Sequence, residues 1–424
     1  MKKVKLMNLI SLLLIMLLVG CGGSKSVGSG EDSQVSSEPV NLKFMINFQS
    51  TELITETFEK TIEKFEKDNP DITVELIPGS ADYESVMKTK MAANDLPDLW
   101  TTHGWSVGRY SEYLMPLTGQ EWASRLNPGI EKVITDKNGD VFVLPIDVDL
   151  SGIAYNRTVL NKVGVNVDEI KTWDDFILAC DKVKAAGYTP IHMGGKDSWT
   201  VGNFFDWTAP SFLITKDDDN YRETLKNGSF DWKKWEPIGD LMITFNKKGF
   251  FNKDKVSSGY LDSAKNLALD KVAFEFYGNY VISEALKLNP KADLGFMPVP
   301  SNDPKDPPTL ISGERTAIGV WKDSKHKEEA LRFLNYLTKS EIMSELASAN
   351  GLPAGLVGIE SDTKSLKGDY EKYANLRGFP YFDREYLPSG MWDTMCATGT
   401  GLLTDEMTSS ETAKQMEKDY KRLK

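Results

Sequence analysis

Asp147 and Asp149 stand two residues apart in the apolar run VFVLPIDVDLSGIAY. If that run is extended, both carboxylates share one face. Paired carboxylates are the machinery of glycoside hydrolysis. With 62 acidic residues in the chain such pairs also arise by chance, and a solvated pair or a hydrogen bond at a bend would use the same spacing. Glu314 and Arg315, in SGERTAIG, follow a glycine and precede a short apolar run; they suit a cleft, or a pair made with each other. No Gly-x-Ser-x-Gly elbow, His-Glu-x-x-His or phosphate-binding loop occurs, so ATP chemistry is left to a partner. The three histidines, His103, His192 and His326, are widely spaced, and no metal or cofactor is expected. Asp136-Lys137-Asn138-Gly139-Asp140 imitates the start of a calcium loop. Val141 occupies the sixth position, where glycine is required, so a tight turn at Asn-Gly is expected instead.

The elements that hold these residues read as an α/β chain. Leu42, Phe44 and Ile46 alternate with Lys43, Met45 and Asn47 as in a strand. Ile54, Phe58, Ile62 and Phe65 then lie on one face of a helix, with Ser50 or Thr51 as its cap and Pro70 beyond its end. A strand at Ile72–Leu76, a helix at Tyr83–Ala93 and a strand at Asp98–Thr102 follow. This order with short connections predicts a mostly parallel sheet, whose ligand loops fall after the strands. Those loops hold Gln49 and the run His103-Gly104-Trp105. A second α/β block starts after Pro145. Its helix from Thr172 opens on a capping-box pattern with Asp175, and a strand at Val272–Phe276 leads through Asn279 and Tyr280 into a helix. Cys180 falls on the apolar side of a helical pattern, and a bond to Cys396 has little support from spacing.

Residues 1–21 supply an address. Lys2, Lys3 and Lys5 precede an apolar run from Met7 to Val19, too short for a stable membrane span. Leu18-Val19-Gly20-Cys21 resembles the lipobox of bacterial lipoproteins, which implies cleavage of residues 1–20 and a lipid on Cys21. Residues 21–39 are rich in Gly and Ser and form a flexible tether with a reach of roughly 20–25 Å. The body is therefore expected on the outer face of the cytoplasmic membrane. A formal net charge of −12, with three lysines in the leader, argues against nucleic acid or an anionic surface as partner.

From Asn41 onward several segments resemble, in order, the carbohydrate type of extracellular solute-binding protein that serves ABC importers and includes maltose-binding protein. They are FEKTIEKFEKDNPDITVELIP, LPDLWTTHGW, VFVLPIDVDLSGIAYNRTVL, KTWDDFILACDKVKAAGYTPI, VAFEFYGNYVIS, KHKEEALRFLNYLTKSE and GLPA. The resemblance implies two α/β lobes with ligand in the cleft between them. The first lobe would hold residues 40–150 with 300–350, and the second 151–299 with 351–424. Crossings would fall near 145–152, 296–300 and 349–353.

Such a cleft would use aromatic faces against sugar C–H surfaces and planar polar groups against pairs of hydroxyls. The resemblance and the positions above nominate Gln49, His103, Trp105, Asp147, Asp149, Asn203, Trp207, Asn279, Tyr280, Glu314, Arg315 and Trp392. Tyr280 stands where the family often has Trp. Trp207 suits the core equally well, and Trp100 and Trp321 suit it better. The implied protein is a monomeric, non-enzymatic binder that hands an oligosaccharide to permease subunits. A binder of some other solute and a lipid-anchored glycoside-active enzyme are the rival readings.

Overall fold

The alternation of Leu42 and Phe44 with polar neighbours forms strand β1 (Val40–Met45), and the helix after it spans Leu53–Asp68. The computed structural model describes residues 39–424 apart from 81, 103, 105, 218, 219 and 374. The leader, Cys21, most of the tether, His103 and Trp105 thus lie outside the described residues. Phe58 and Phe65 of the first helix are fully buried. Phe58 meets Phe44 edge-on at 5.3 Å, and Phe65 meets Phe333 at 5.0 Å. Each such ring contributes about 2–3 kcal/mol by leaving water. The cap expected from Ser50 or Thr51 is not made. The N-cap residue is Glu52, and it offers its own helix no side-chain cap, because its carboxylate accepts the Gln49 N–H at 2.7 Å.

The remaining strands are β2 (Ile72–Ile77), β3 (Leu99–Thr101), β4 (Val143–Pro145), β5 (Asp149–Ser151), β6 (Ile153–Asn156), β7 (Thr189–Ile191), β8 (Val272–Glu275), β9 (Leu294–Met297), β10 (Leu310–Gly313), β11 (Ala317–Val320) and β12 (Gly378–Pro380). The first lobe carries the sheet β2-β1-β3-β11-β4 and the second the sheet β7-β8-β6-β9. In each, one strand (β11, β6) opposes the rest. The expected turn at Asn138-Gly139 is present: Thr135 and Val141 bridge, Gly139 sits at φ +87°, and Asp136 Oδ1 accepts the Asn138 and Asp140 amides. Thr172 and Asp175 form the expected capping box at the start of helix Trp173–Ala185. Cys180 and Cys396 are buried free thiols. Among the described residues no helix is long and apolar enough to cross a membrane.

Packing divides the chain. One hydrophobic cluster draws on Leu42–Val148 and Ala317–Leu356, and two others draw on residues from Ile153 to Ile311 and from Leu366 to Tyr420. The chain does not change lobe at 296–300. Phe296, Met297 and Val299 all belong to the later clusters. Val299 bridges Thr309 in antiparallel fashion, so residues 300–308 loop out and return to the same lobe. The passage falls at Glu314–Thr316, between β10 and β11. The three passages are laced together. Ile146 N–H donates to Thr316 O at 2.8 Å, Val148 N–H to Pro353 O at 2.9 Å, and Gly355 N–H to Ile146 O at 2.9 Å. A small sheet, β12-β10-β5, lies beside them.

Candidate ligand-binding cleft

Short connections after the strands, and the opening turns of helices, leave polar groups and rings at the seam between the lobes. The first lobe contributes Asn47, Gln49 and Glu52 after β1, and Asp82 to Ser85 at the start of helix Tyr83–Ala93. The second contributes Ser198, Trp199 and Asn203 from helix Trp199–Leu213, Tyr280 from helix Tyr280–Leu288, Tyr381 and Arg384 around helix Phe382–Tyr386, and Trp392, Asp393 and Cys396 from helix Met391–Leu403. With Arg315 from the second passage they enclose a cavity of about 350 Å³, within the usual range for small-molecule sites.

Arg315 is the central cation. Its guanidinium carbon lies 3.8 Å from the Tyr280 ring centroid and 4.8 Å from that of Phe48. Such stacking of a cation on rings contributes about 0.5–2 kcal/mol per ring. Its buried Nε has no hydrogen-bond partner among the described residues. Asn203 Nδ2 donates to the Tyr280 hydroxyl at 3.1 Å. Arg384 lies 3.6 Å from the Tyr381 ring centroid and donates to the Glu314 carbonyl at 3.2 Å, so it ties one lobe to the passage. Burial pushes the Glu52 carboxyl up to about 7 against the opposing pull of Arg315. Burial likewise pushes Asp149 up to about 7, although the Tyr381 hydrogen bond opposes it.

Of the residues nominated from sequence, Gln49, Asn203, Tyr280, Arg315 and Trp392 line the cavity. Five do not, and they stabilise the frame instead. Asp147 accepts the Thr316 amide at 2.9 Å and the Asn350 side-chain amide at 2.7 Å. Asp149 accepts the hydroxyls of Ser151 and Tyr381. Asn279 Nδ2 donates to Leu150 O and the Tyr370 hydroxyl. Glu314 accepts the Gly104 amide at 2.7 Å and the Ser106 amide at 3.2 Å, rather than pairing with Arg315. Trp207 is fully buried and donates to Gly152 O at 2.9 Å. The reason is common to all five: polar groups on and beside the segments that cross between lobes are buried where no sheet continues, and each needs a partner, which Asp147, Asp149 and Glu314 supply as acceptors and Asn279 and Trp207 as donors. Asp147 and Asp149 therefore do not present a pair of carboxylates to a substrate.

Glu52, Trp199, Tyr381 and Arg384 were missed by the sequence reading. Glu52 had a local signal, since it opens the helix after a ligand loop. Tyr381 and Arg384 had none, because β12 places them by pairing with β10, more than sixty residues earlier. The walls thus combine flat rings with amide, hydroxyl, carboxyl and guanidinium groups.

Comparison with known proteins accords with this geometry. Residues 51–343 match the family described as bacterial extracellular solute-binding protein. The chain is 33% identical over 416 residues to the melibiose/raffinose/stachyose-binding protein of Bacillus subtilis, covering 97% of this chain and 95% of that one. It is 24% identical over 415 residues to the multiple sugar-binding protein of Streptococcus mutans, covering 95% and 94%. A sugar transporter structure from Bacillus licheniformis in complex with stachyose superposes with a TM-score of 0.85 at 32% identity, over 91% of this chain and all of that one. A binding protein from Bacillus subtilis in an open conformation superposes at 0.78, with 34% identity over 91% and 98%. Two-lobed fold, cleft and matched sequence agree: the chain belongs to the bacterial extracellular solute-binding protein family.

Proposed function

We propose that this protein captures an oligosaccharide between its lobes, closes on it by rotation about the three passages, and delivers it to the permease of an ABC importer. The observation that carries this reading is the Arg315 guanidinium, stacked on Tyr280 with its Nε unpartnered, at the wall of a cavity that also presents Trp199, Trp392, Gln49 and Asn203. Ring faces beside planar hydrogen-bonding groups complement the C–H and hydroxyl surfaces of sugars. The names of two full-length relatives, binders of melibiose, raffinose and stachyose or of multiple sugars, point the same way. The higher TM-score to the stachyose complex than to the open structure supports a closed arrangement here. The lobes in this reading are residues 40–148 with 317–356, and 149–316 with the remainder.

The protein works as a monomer without turnover, held at the outer face of the membrane by a lipid on Cys21. The tether after Cys21 raises its effective concentration beside the permease. Titration calorimetry against melibiose, raffinose, stachyose and malto-oligosaccharides tests the ligand, and a micromolar constant corresponds to about −8 kcal/mol. Silence across the panel would move the assignment to a non-carbohydrate solute, and sugar products after incubation would replace the binder with an enzyme.

A further inference from the structure

Glu284 lies on helix Tyr280–Leu288 of the second lobe and is 7% exposed. Its Oε1 accepts the N–H of Leu53 at 2.8 Å, a residue 231 positions earlier and in the other lobe. Leu53 is the first residue of helix Leu53–Asp68. The first four N–H groups of a helix have no partner inside it, and the N-cap side chain ordinarily satisfies one. Here that side chain, Glu52, turns back to Gln49 N–H, and both residues face the cavity. The acceptor comes from across the cleft instead. One turn beyond Glu284, Lys287 pairs with Glu56 and reaches the Thr51 carbonyl at 3.3 Å. A carboxylate thus meets the positive end of the helix, and a lysine meets the acid in that helix's first turn.

We propose that Glu284, flanked by Lys287, is a positioning residue of the cleft. It holds the end of the first helix from the opposite lobe, and with it the Asn47–Glu52 segment whose Gln49 and Glu52 face the ligand. The proposal rests on the reading that the lobes close on a sugar. Because the clasp joins the two lobes, its loss acts on how long ligand stays rather than on how fast it enters. The charged groups around Glu284 are Glu52, Glu56, Lys287 and Arg315.

The test uses the full chain with the best sugar of the panel, measuring affinity and dissociation rate for Glu284→Ala, Glu284→Gln and Lys287→Ala, together with melting of each without ligand. Glu284→Ala weakens binding about tenfold through faster dissociation. Gln, whose amide oxygen still accepts the Leu53 N–H, recovers most of it. Lys287→Ala, at a partly exposed position, weakens binding about twofold, and the difference vanishes near 1 M salt because the pair is screened. Unliganded melting stays within a few degrees of wild type in all three. Wild-type affinity in Glu284→Ala and Lys287→Ala overturns the proposal. So does a loss matched by collapse of unliganded melting and not recovered by Gln, which marks a merely structural role. A wild-type chain that binds no sugar overturns the closure reading itself, and the clasp with it.

Discussion

Arg315 holds its place by stacking, and a planar guanidinium does this where an ammonium does not. Arg315→Lys keeps the charge beside Glu52 and loses both ring contacts, so sugar affinity measured by calorimetry should fall about tenfold. An unchanged constant would remove Arg315 from the ligand wall. Asp149 gives a pH signature. Burial raises its carboxyl to about 7, so the folded state favours the protonated form. That contribution is full below the ordinary carboxylate value of about 4 and is lost as pH rises through 7. Unliganded melting should therefore drop between pH 6 and pH 8, and Asp149→Asn, neutral throughout, should reduce the drop to the share that Glu52 contributes. Residue types and loop positions, together with the family resemblance, nominated Gln49, Asn203, Tyr280, Arg315 and Trp392. Asp147, Asp149 and Glu314 were polar and well placed too. What turns them inward is the presence of Asn350, Thr316, Tyr381 and Ser106 opposite them, a pairing of distant segments that no local spacing encodes.

Elements with local signals were legible. Helix Tyr83–Ala93, strand β11 and the Thr172 capping box stand where periodicity, apolar runs and caps put them. Strands β5, β10 and β12 were not read, because three or four residues carry no period and their pairing joins positions as far apart as Asp149 and Gly313. Strand β8 contains a local conflict. Glu275 is fully buried opposite Ala154, and neither oxygen has a hydrogen-bond partner among the described residues. Burial alone pushes its carboxyl well up. It is tolerated while protonated, and that tolerance is lost as pH rises. An apolar residue of similar volume relieves the conflict, by about 1–4 kcal/mol where a buried charge is removed. Glu275→Met should raise the melting temperature, more at pH 9 than at pH 5. A lower value at both would mean that the carboxyl is satisfied in solution.

At the scale of the molecule, the order of segments along the chain announced two lobes, and the hairpin at Val299 and Thr309 hid one passage between them. The proposed function uses that architecture through closure of the lobes. Small-angle scattering should show a smaller radius of gyration when sugar is added, and an unchanged radius would argue against rotation about the passages. Lys88 and Asp393 meet across the cleft at 2.6 Å, with side chains 33% and 53% exposed. A pair this open contributes at most about 1 kcal/mol, so it tunes closure without driving it. Lys88→Ala should alter the salt dependence of affinity while leaving affinity in 1 M salt close to wild type.

Trp392 packs against the cores of both lobes and lines the cavity. Indole emission depends on local polarity, so this position makes the protein its own optical gauge. Trp100, Trp122 and Trp235 are buried and do not line the cavity, and they supply a steady background against which the Trp392 signal moves. Cys396, one turn further along the same helix and also on the cavity wall, is a thiol that a small dye could reach only while the lobes are apart. Spectral shift and labelling rate would then time the same event from two sides.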